Sequence, residues 1–176
     1  FQGKELEIYS ILDGISLPEV VEDGKTFEEN SQKKALEIAK HLNMMTIADD
    51  SGLCVDALGG APGVYSARYS EEGTDEANNQ KLLRNLQGIE NRRAKFVSVI
   101  SFAKPNGEVF SFRGEVEGEI IDERRGDFGF GYDPYFYVKE YGKTLAEMPE
   151  VKNQISHRAE ALKKFQEFWR KHRDFR

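Results

Sequence analysis

The sequence predicts an α/β protein, and three observations carry that prediction. Apolar, partly β-branched runs at Met44 to Ala48 and Ala94 to Ala103 read as buried strands. Thr26, Thr74 and Ser156 each open a segment whose apolar residues return at helical spacing. These segments alternate with the strands along 176 residues, a length that suits one sizeable core but hardly two independent domains.

From the start of the chain, Phe1-Gln2-Gly3 looks like the remnant of a cleavable tag, with native sequence from Lys4 onward as a single domain. Leu6 to Ile11 reads as a short strand, Asp13-Gly14 as a turn, and Leu17 to Val21 as an extended connection. Glu22-Asp23-Gly24 is an acidic turn. Thr26 and Glu29 have capping-box spacing, Ala35, Ile38, Ala39 and Leu42 mark the buried face of the helix, and Asn43 can end it. The strand from Met44 then stops at Asp49-Asp50-Ser51-Gly52, with the glycine letting the backbone turn closely around a ligand. Adjacent strand residues point to opposite faces, so only one of the two acids can enter a given cleft. An isolated Asp-Asp pair is usually a solvated turn; other stretches weigh against that here.

Leu58 to Arg68 is too rich in Gly and Pro for a regular element, and reads as an ordered loop packed against another surface, a second subunit being one candidate. Thr74 caps a helix with Asp75 and Glu76 in its first turn, where the dipole favours anions; Leu82, Leu83 and Leu86 are its buried face. Pro105-Asn106-Gly107 joins the strand at Ala94 to Ala103 to a return strand from Val109, and the acids of Glu115 to Ile120 mark a solvated face. Gly126 to Pro134 alternates glycines with Phe128, Phe130 and Tyr132. It opens no amphipathic helix, so it is not a dinucleotide fingerprint; it suits a loop that offers an aromatic face to a nucleobase. Tyr135 to Tyr137 reads as a strand, and Thr144 to Glu147 as a second capping box on a short helix ended by Pro149. Ser156 caps the last helix, which puts His157 and Arg158 in its first turn. Cations are disfavoured there unless, with Lys152, they face an anion or polar ligand.

Composition excludes several classes. The net charge is −6 without a long basic run, which argues against duplex nucleic acid or an anionic membrane surface as main partner. The single cysteine, Cys54, excludes an internal disulfide framework and a cysteine-rich zinc site, and suits a cytoplasmic location. No apolar run is long enough to cross a bilayer. Acidic clusters, grouped cations and an aromatic-glycine loop together point to a metal-chelated phosphate compound with a flat base, and hard carboxylates suit Mg²⁺.

Thr26 to Asn30, Ala48 to Leu53, Gly59 to Arg68, Phe130 to Asp133 and Ser156 to Arg158, in that order, closely resemble the inosine/xanthosine triphosphate pyrophosphatase family. The resemblance implies a two-lobed α/β fold, a mixed sheet flanked by helices with the active cleft between lobes. It further implies hydrolysis of ITP, dITP and XTP to the monophosphate and pyrophosphate, a nucleotide-pool house-cleaning activity, together with Mg²⁺ and a homodimer. Residue by residue, Asp50 would be the catalytic acid and a metal ligand, with Glu22, or Asp23 if the short acidic turn shifts by one, as the second. Lys34 and Ser51 would contact the triphosphate, and Phe130 would stack on the base, with Gly131, Tyr132 and Asp133 shaping the pocket. Lys152, His157 and Arg158 would complete the nucleotide site. The family opens with a strand and a phosphate loop ending in Lys, which Gly3-Lys4 only mimics; the first strand, loop and helix are expected to be missing here, and activity to be weak without them. The alternatives are a related pyrophosphatase for pyrimidine or modified nucleotides, and a catalytically silent nucleotide-binding dimer.

Overall fold

The computed structural model describes residues 14–172. The expected strand at Leu6 to Ile11, the tag remnant and Gly3-Lys4 lie outside the described residues. The elements are α1 (Phe27–Leu42), β1 (Thr46–Val55), α2 (Asp75–Asn85), β2 (Arg93–Ala103), β3 (Val109–Ile120), β4 (Phe136–Val138), β5 (Lys143–Thr144), α3 (Pro149–Ile155) and α4 (His157–Lys171). The strands form one sheet in the order β1-β2-β3-β4-β5, antiparallel at every described pairing. A parallel pairing, which a mixed sheet needs, is not among the described residues.

The caps act as their residue types dictate. Thr26, Thr74 and Ser156 each accept a hydrogen bond from the backbone N–H three residues on, and Asn43 ends α1 in the left-handed conformation. Glu29 reaches back one residue further than a capping box requires, accepting from Lys25 N. Two readings are corrected. The strand at Met44 to Ala48 is not buried throughout, since Met44, Met45 and Ile47 are exposed, and it does not stop at the acids: β1 runs through Asp49 and Asp50 to Val55, paired with β2 along its whole length. Asp50 opposite Val99 and Gly52 opposite Val97 satisfy the ladder, so no turn is needed. Second, the short helix of the Thr144 capping box is a single 3-10 turn, Leu145–Glu147, that stops before Pro149 as expected, but Pro149 also begins a further helix, α3, at a position where its missing N–H costs nothing.

The sheet has a helix on each face. On one, α1 packs through Ala35 and Ala39 against Ala48 and Ala103, and Ser31 joins a buried hydroxyl chain with Ser101 and Ser111. On the other, α4 lays Phe165, Phe168 and Trp169 against Phe102, Phe110 and Phe112. The larger apolar cluster lies beyond the acid end of β1. It joins Leu53 and Val55 to Leu82 and Leu86 of α2 and to Ile120, Tyr132, Phe136, Leu145 and Met148. These separate apolar groupings give the fold its two lobes, with β1 running from one into the other.

Close approach of α4 to the sheet depends on Gly114. A methyl group there would overlap His157 O and lie 2.5 Å from Ala161 N, both backbone atoms that cannot rotate away. Gly114→Ala is therefore expected to destabilise the fold by about 1–3 kcal/mol, read as a lower midpoint in urea unfolding; an unchanged midpoint would show that α4 docks without this contact.

Candidate active site

Strand alternation divides the two acids. Asp50 turns to the α1 face and Asp49 to the α4 face, each becoming the centre of a different cluster. On the α1 side, Lys34 projects from the helix towards the strand. Its Nζ donates to Asp49 O at 2.7 Å and pairs with Glu22 Oε1 at 2.7 Å. Asp50 Oδ2 is buried and has no hydrogen-bond partner. Burial pushes the Asp50 carboxyl up to about 6; Lys34 and the Asn30 amide oppose this, while Glu22 and Asp49 add to it. The influence of Glu22 on Asp50 distinguishes it from Asp23, which pairs instead with Lys33 at 2.8 Å on the surface. Asn30 also ties down the acidic turn, accepting from Gly24 N at 2.7 Å.

On the α4 side, Arg158 Nε donates to Asp49 Oδ2 at 3.1 Å and Nη2 to Ser51 Oγ at 3.1 Å. The cation at the start of α4 thus does face an anion: the Asp49 carboxylate. His157 stacks on Phe96 with ring centroids 5.1 Å apart, and its Nδ1 is buried without a partner. Burial pushes its imidazole down to about 4; the nearby Arg158 and Lys152 charges act in the same direction, and Asp49 opposes them. Gly52, placed between these clusters, is there for close packing rather than for a turn. A side chain at that position would meet Gly63 O, Ser66 Oγ and Phe27, which are the atoms that seat the 63–68 segment on β1. That segment is anchored within its own chain, since Ser66 Oγ accepts from Leu53 N at 2.8 Å.

The third cluster is the aromatic loop. Phe130 is 64% exposed, between Gly129 and Gly131, both in the left-handed conformation. Tyr132 faces inward and donates its hydroxyl to Ser66 O at 2.6 Å, and burial pushes that phenol above its usual range. Asp133, 4% exposed, accepts from Phe130 N and pairs with Lys152. Lys152 Nζ in turn sits 4.6 Å from the Phe130 ring centroid. Tyr132 and Asp133 thus hold the loop from beneath, while Phe130 is presented outward.

The residues singled out from sequence gather into these three clusters, joined by β1 on one side and by the α3–α4 junction on the other. Sequence reasoning missed Asn30, Asp75, Asn79 and Ser66 as members of the surroundings, and named Asp49 only as the neighbour of Asp50, without its partner Arg158. Asn30 and Asn79 carried a usable signal, because an Asn within an amphipathic helix gives up propensity unless its amide has work to do.

The depressed His157 fixes a pH dependence. The unfolded imidazole binds a proton below about 6.5, and the folded one only below about 4, so the unfolded state binds more protons in between. Stability is expected to fall as pH drops through that window, by roughly 2–3 kcal/mol from this residue. Urea unfolding at several pH values in wild type and His157→Gln checks it: the variant should lose less, and parallel losses would assign the effect elsewhere.

Known proteins resemble this chain in both sequence and backbone. The family model described as the Ham1 family matches residues 1–168. The dITP/XTP pyrophosphatase of Desulfotalea psychrophila is 55% identical over 159 residues, 89% of this chain and 71% of that protein. The dITP/XTP pyrophosphatase of Listeria monocytogenes serovar 1/2a is 49% identical over 170 residues, 94% of this chain and 84% of its own length. Among solved structures, the Ham1 protein of Staphylococcus aureus superposes with a TM-score of 0.84 at 51% identity, covering 87% of this chain and 81% of that one. The Coxiella burnetii HAM1 protein gives a TM-score of 0.84 at 42% identity over 88% and 82%. Likeness this close in sequence and backbone, sustained along nearly the whole length, leaves one assignment: this chain belongs to the Ham1 family.

Proposed function

We propose that this chain hydrolyses non-canonical purine nucleoside triphosphates, namely ITP, dITP and XTP, to the monophosphate and pyrophosphate, and so clears them from the cytoplasmic nucleotide pool. Relatives named dITP/XTP pyrophosphatase support the substrate class. The observation that carries the chemistry is Asp50, a partly buried carboxyl whose Oδ2 is buried and unpartnered, beside Lys34 and Glu22.

An unpaired buried carboxylate oxygen is costly unless a cation or a proton meets it, which fits a Mg²⁺ requirement. No group of three or more ligating side chains occurs among the described residues. That suits an ion held by one or two carboxylates, here Asp50 and Glu22, plus substrate phosphates and water. When bound, Mg²⁺ supplies positive charge against the phosphate oxygens as the anhydride breaks. Asp50 takes a proton from the attacking water, a role that its buried, unpartnered Oδ2 leaves open. Lys34, already between Glu22 and the strand, and Ser51 bind the triphosphate. Phe130 stacks on the base, with Lys152 behind its ring. Arg158 spends Nε and Nη2 on Asp49 and Ser51, and its fork has Nη1 to offer a 6-oxo acceptor. Adenine presents a 6-amino donor there, which a fixed guanidinium rejects. His157, kept neutral by burial, closes the pocket without adding charge.

The active unit is proposed to be a homodimer, for which the exposed Tyr65 (55%) and Val21 (63%) are the supporting surface. Gel filtration against the 20.1 kDa chain mass tests that.

Pyrophosphate release from ITP, XTP, GTP and ATP with Mg²⁺ tests the activity. Turnover of ITP and XTP well above that of ATP, and its loss on chelation, are expected. Asp50→Asn keeps the shape but removes the base, and is expected to lower kcat by roughly 10²–10⁴-fold. An unchanged rate in that variant would remove Asp50 from the chemistry, and equal ATP turnover would remove the purine discrimination.

A further inference from the structure

Helix α2 holds one residue of the aromatic loop by both of its backbone groups. Asp75 Oδ2 accepts from Gly131 N at 2.8 Å, and Asn79 Nδ2 donates to Gly131 O at 2.9 Å. The two side chains are four residues apart, hence on the same face of the helix. Either feature alone is ordinary: an acid at a helix start answers the dipole, and a buried amide needs a partner. What is not ordinary is that both close on a single peptide residue of a distant loop.

The orientation of Asn79 is unambiguous. The residue is 6% exposed, and its Oδ1 is buried with no partner. Reversing the amide would set Oδ1 against Gly131 O, two acceptors face to face, so the bond to Gly131 alone fixes which way it points. The helix is itself held in place by the preceding residue. Asn78 accepts from Ser70 N and Ser70 Oγ and donates to Ser66 O and Ala67 O. Phe130, next to Gly131, cannot be fixed by packing because most of its surface is open. Its backbone is flanked by two glycines that have conformational freedom to spare. Something else must set the direction of the ring.

We infer that Asp75 and Asn79 are positioning residues for nucleobase recognition: they clamp Gly131 and thereby set the plane of the Phe130 ring, without touching the ligand themselves. This rests on the hydrolase reading and deepens its account of the base.

The test uses Asp75→Ala, Asn79→Ala, Asn79→Asp and Asp75→Asn in the full chain. KM and kcat are measured on ITP, and inhibition constants for IMP and for inorganic pyrophosphate, which lacks a base. Asn79→Asp preserves volume but replaces the donor with an acceptor, separating the hydrogen bond from a cavity. In the first three variants, KM for ITP and the inhibition constant of IMP are expected to rise roughly fivefold to tenfold, the size of one lost hydrogen bond. The pyrophosphate constant and kcat should stay within about twofold of wild type, since the phosphate-binding groups are untouched. Asp75→Asn retains an acceptor for Gly131 N and should match wild type. Equal weakening towards IMP and pyrophosphate, or no weakening towards IMP, overturns the inference. A wild-type chain that turns over no ITP refutes the hydrolase reading instead. The clamp is then decided by amide exchange at Gly131: faster exchange in Asp75→Ala supports it, and an unchanged rate overturns it.

Discussion

The site depends on one geometric constraint: β1 is paired along its entire length while carrying two adjacent carboxylates. Because the ladder fixes its pleat, Asp49 and Asp50 cannot share a face, and each must find cations from a different helix. Lys34 comes from α1 and Arg158 from the start of α4. Lys34 also grips the Asp49 carbonyl, so the strand is held at the same residue from both sides. The layers of the fold therefore follow from the charge pattern of one strand as much as from its apolar residues. Asp50 differs from its neighbour in that one oxygen is left without a partner, and that inequality leaves it open to a cation or a proton.

A second frame supports the aromatic loop. The 63–68 segment, α2 and the aromatic loop are linked by side chain to backbone bonds as well as by the apolar contacts of Leu82, Leu86 and Tyr132. Tyr132 and Asn78 both bond to Ser66 O, and Ser66 in turn caps Leu53 N. Buried amides and hydroxyls stabilise such a frame only when nearly all of their groups are satisfied, and in return they specify one arrangement. Asn79 Oδ1 is one exception. It lies at the edge of this frame, where the loop begins.

Much of this was legible in the sequence, and what was not has physical causes. Helix caps are local, and Thr26, Asn43, Thr74 and Ser156 behave as their chemistry dictates. The length of β1 was not legible. Asp-Asp-Ser-Gly has the composition of a turn, and only pairing with β2, some 50 residues away in sequence, overrides that local preference. Gly52 was misread for the same reason: its need is set by Gly63 and Ser66, which no local pattern announces. Phe130, Lys152 and Arg158 stood out because their types are misplaced for bare structure. Asp49 stood out only as the neighbour of Asp50, since its partner comes from the far end of the chain. Asp75 had a sufficient local explanation in the helix dipole, and a residue with one adequate reason does not advertise a second.

An open aromatic platform raises a difficulty that the structure answers in a particular way. A ring that is to stack on a ligand must leave one face bare, so it cannot be held by the packing that orients buried Phe residues. Phe130 has Lys152 on one side, 4.6 Å from its centroid, which occupies a face without covering the ring. Its backbone is held by Asp133 at its own N–H, and by Asp75 and Asn79 through Gly131. Asp133 also neutralises Lys152, so the cation is fixed behind the ring rather than free to turn to solvent. Glycines at 129 and 131 are required because both backbones are left-handed, and at 129 any side chain would strike Asp133. Rigidity is thus supplied by polar bonds from below, leaving the upper surface apolar, flat and exposed. This division of labour explains why a loop of glycines and aromatic residues is ordered at all: its order comes from the charged and amide residues beneath it.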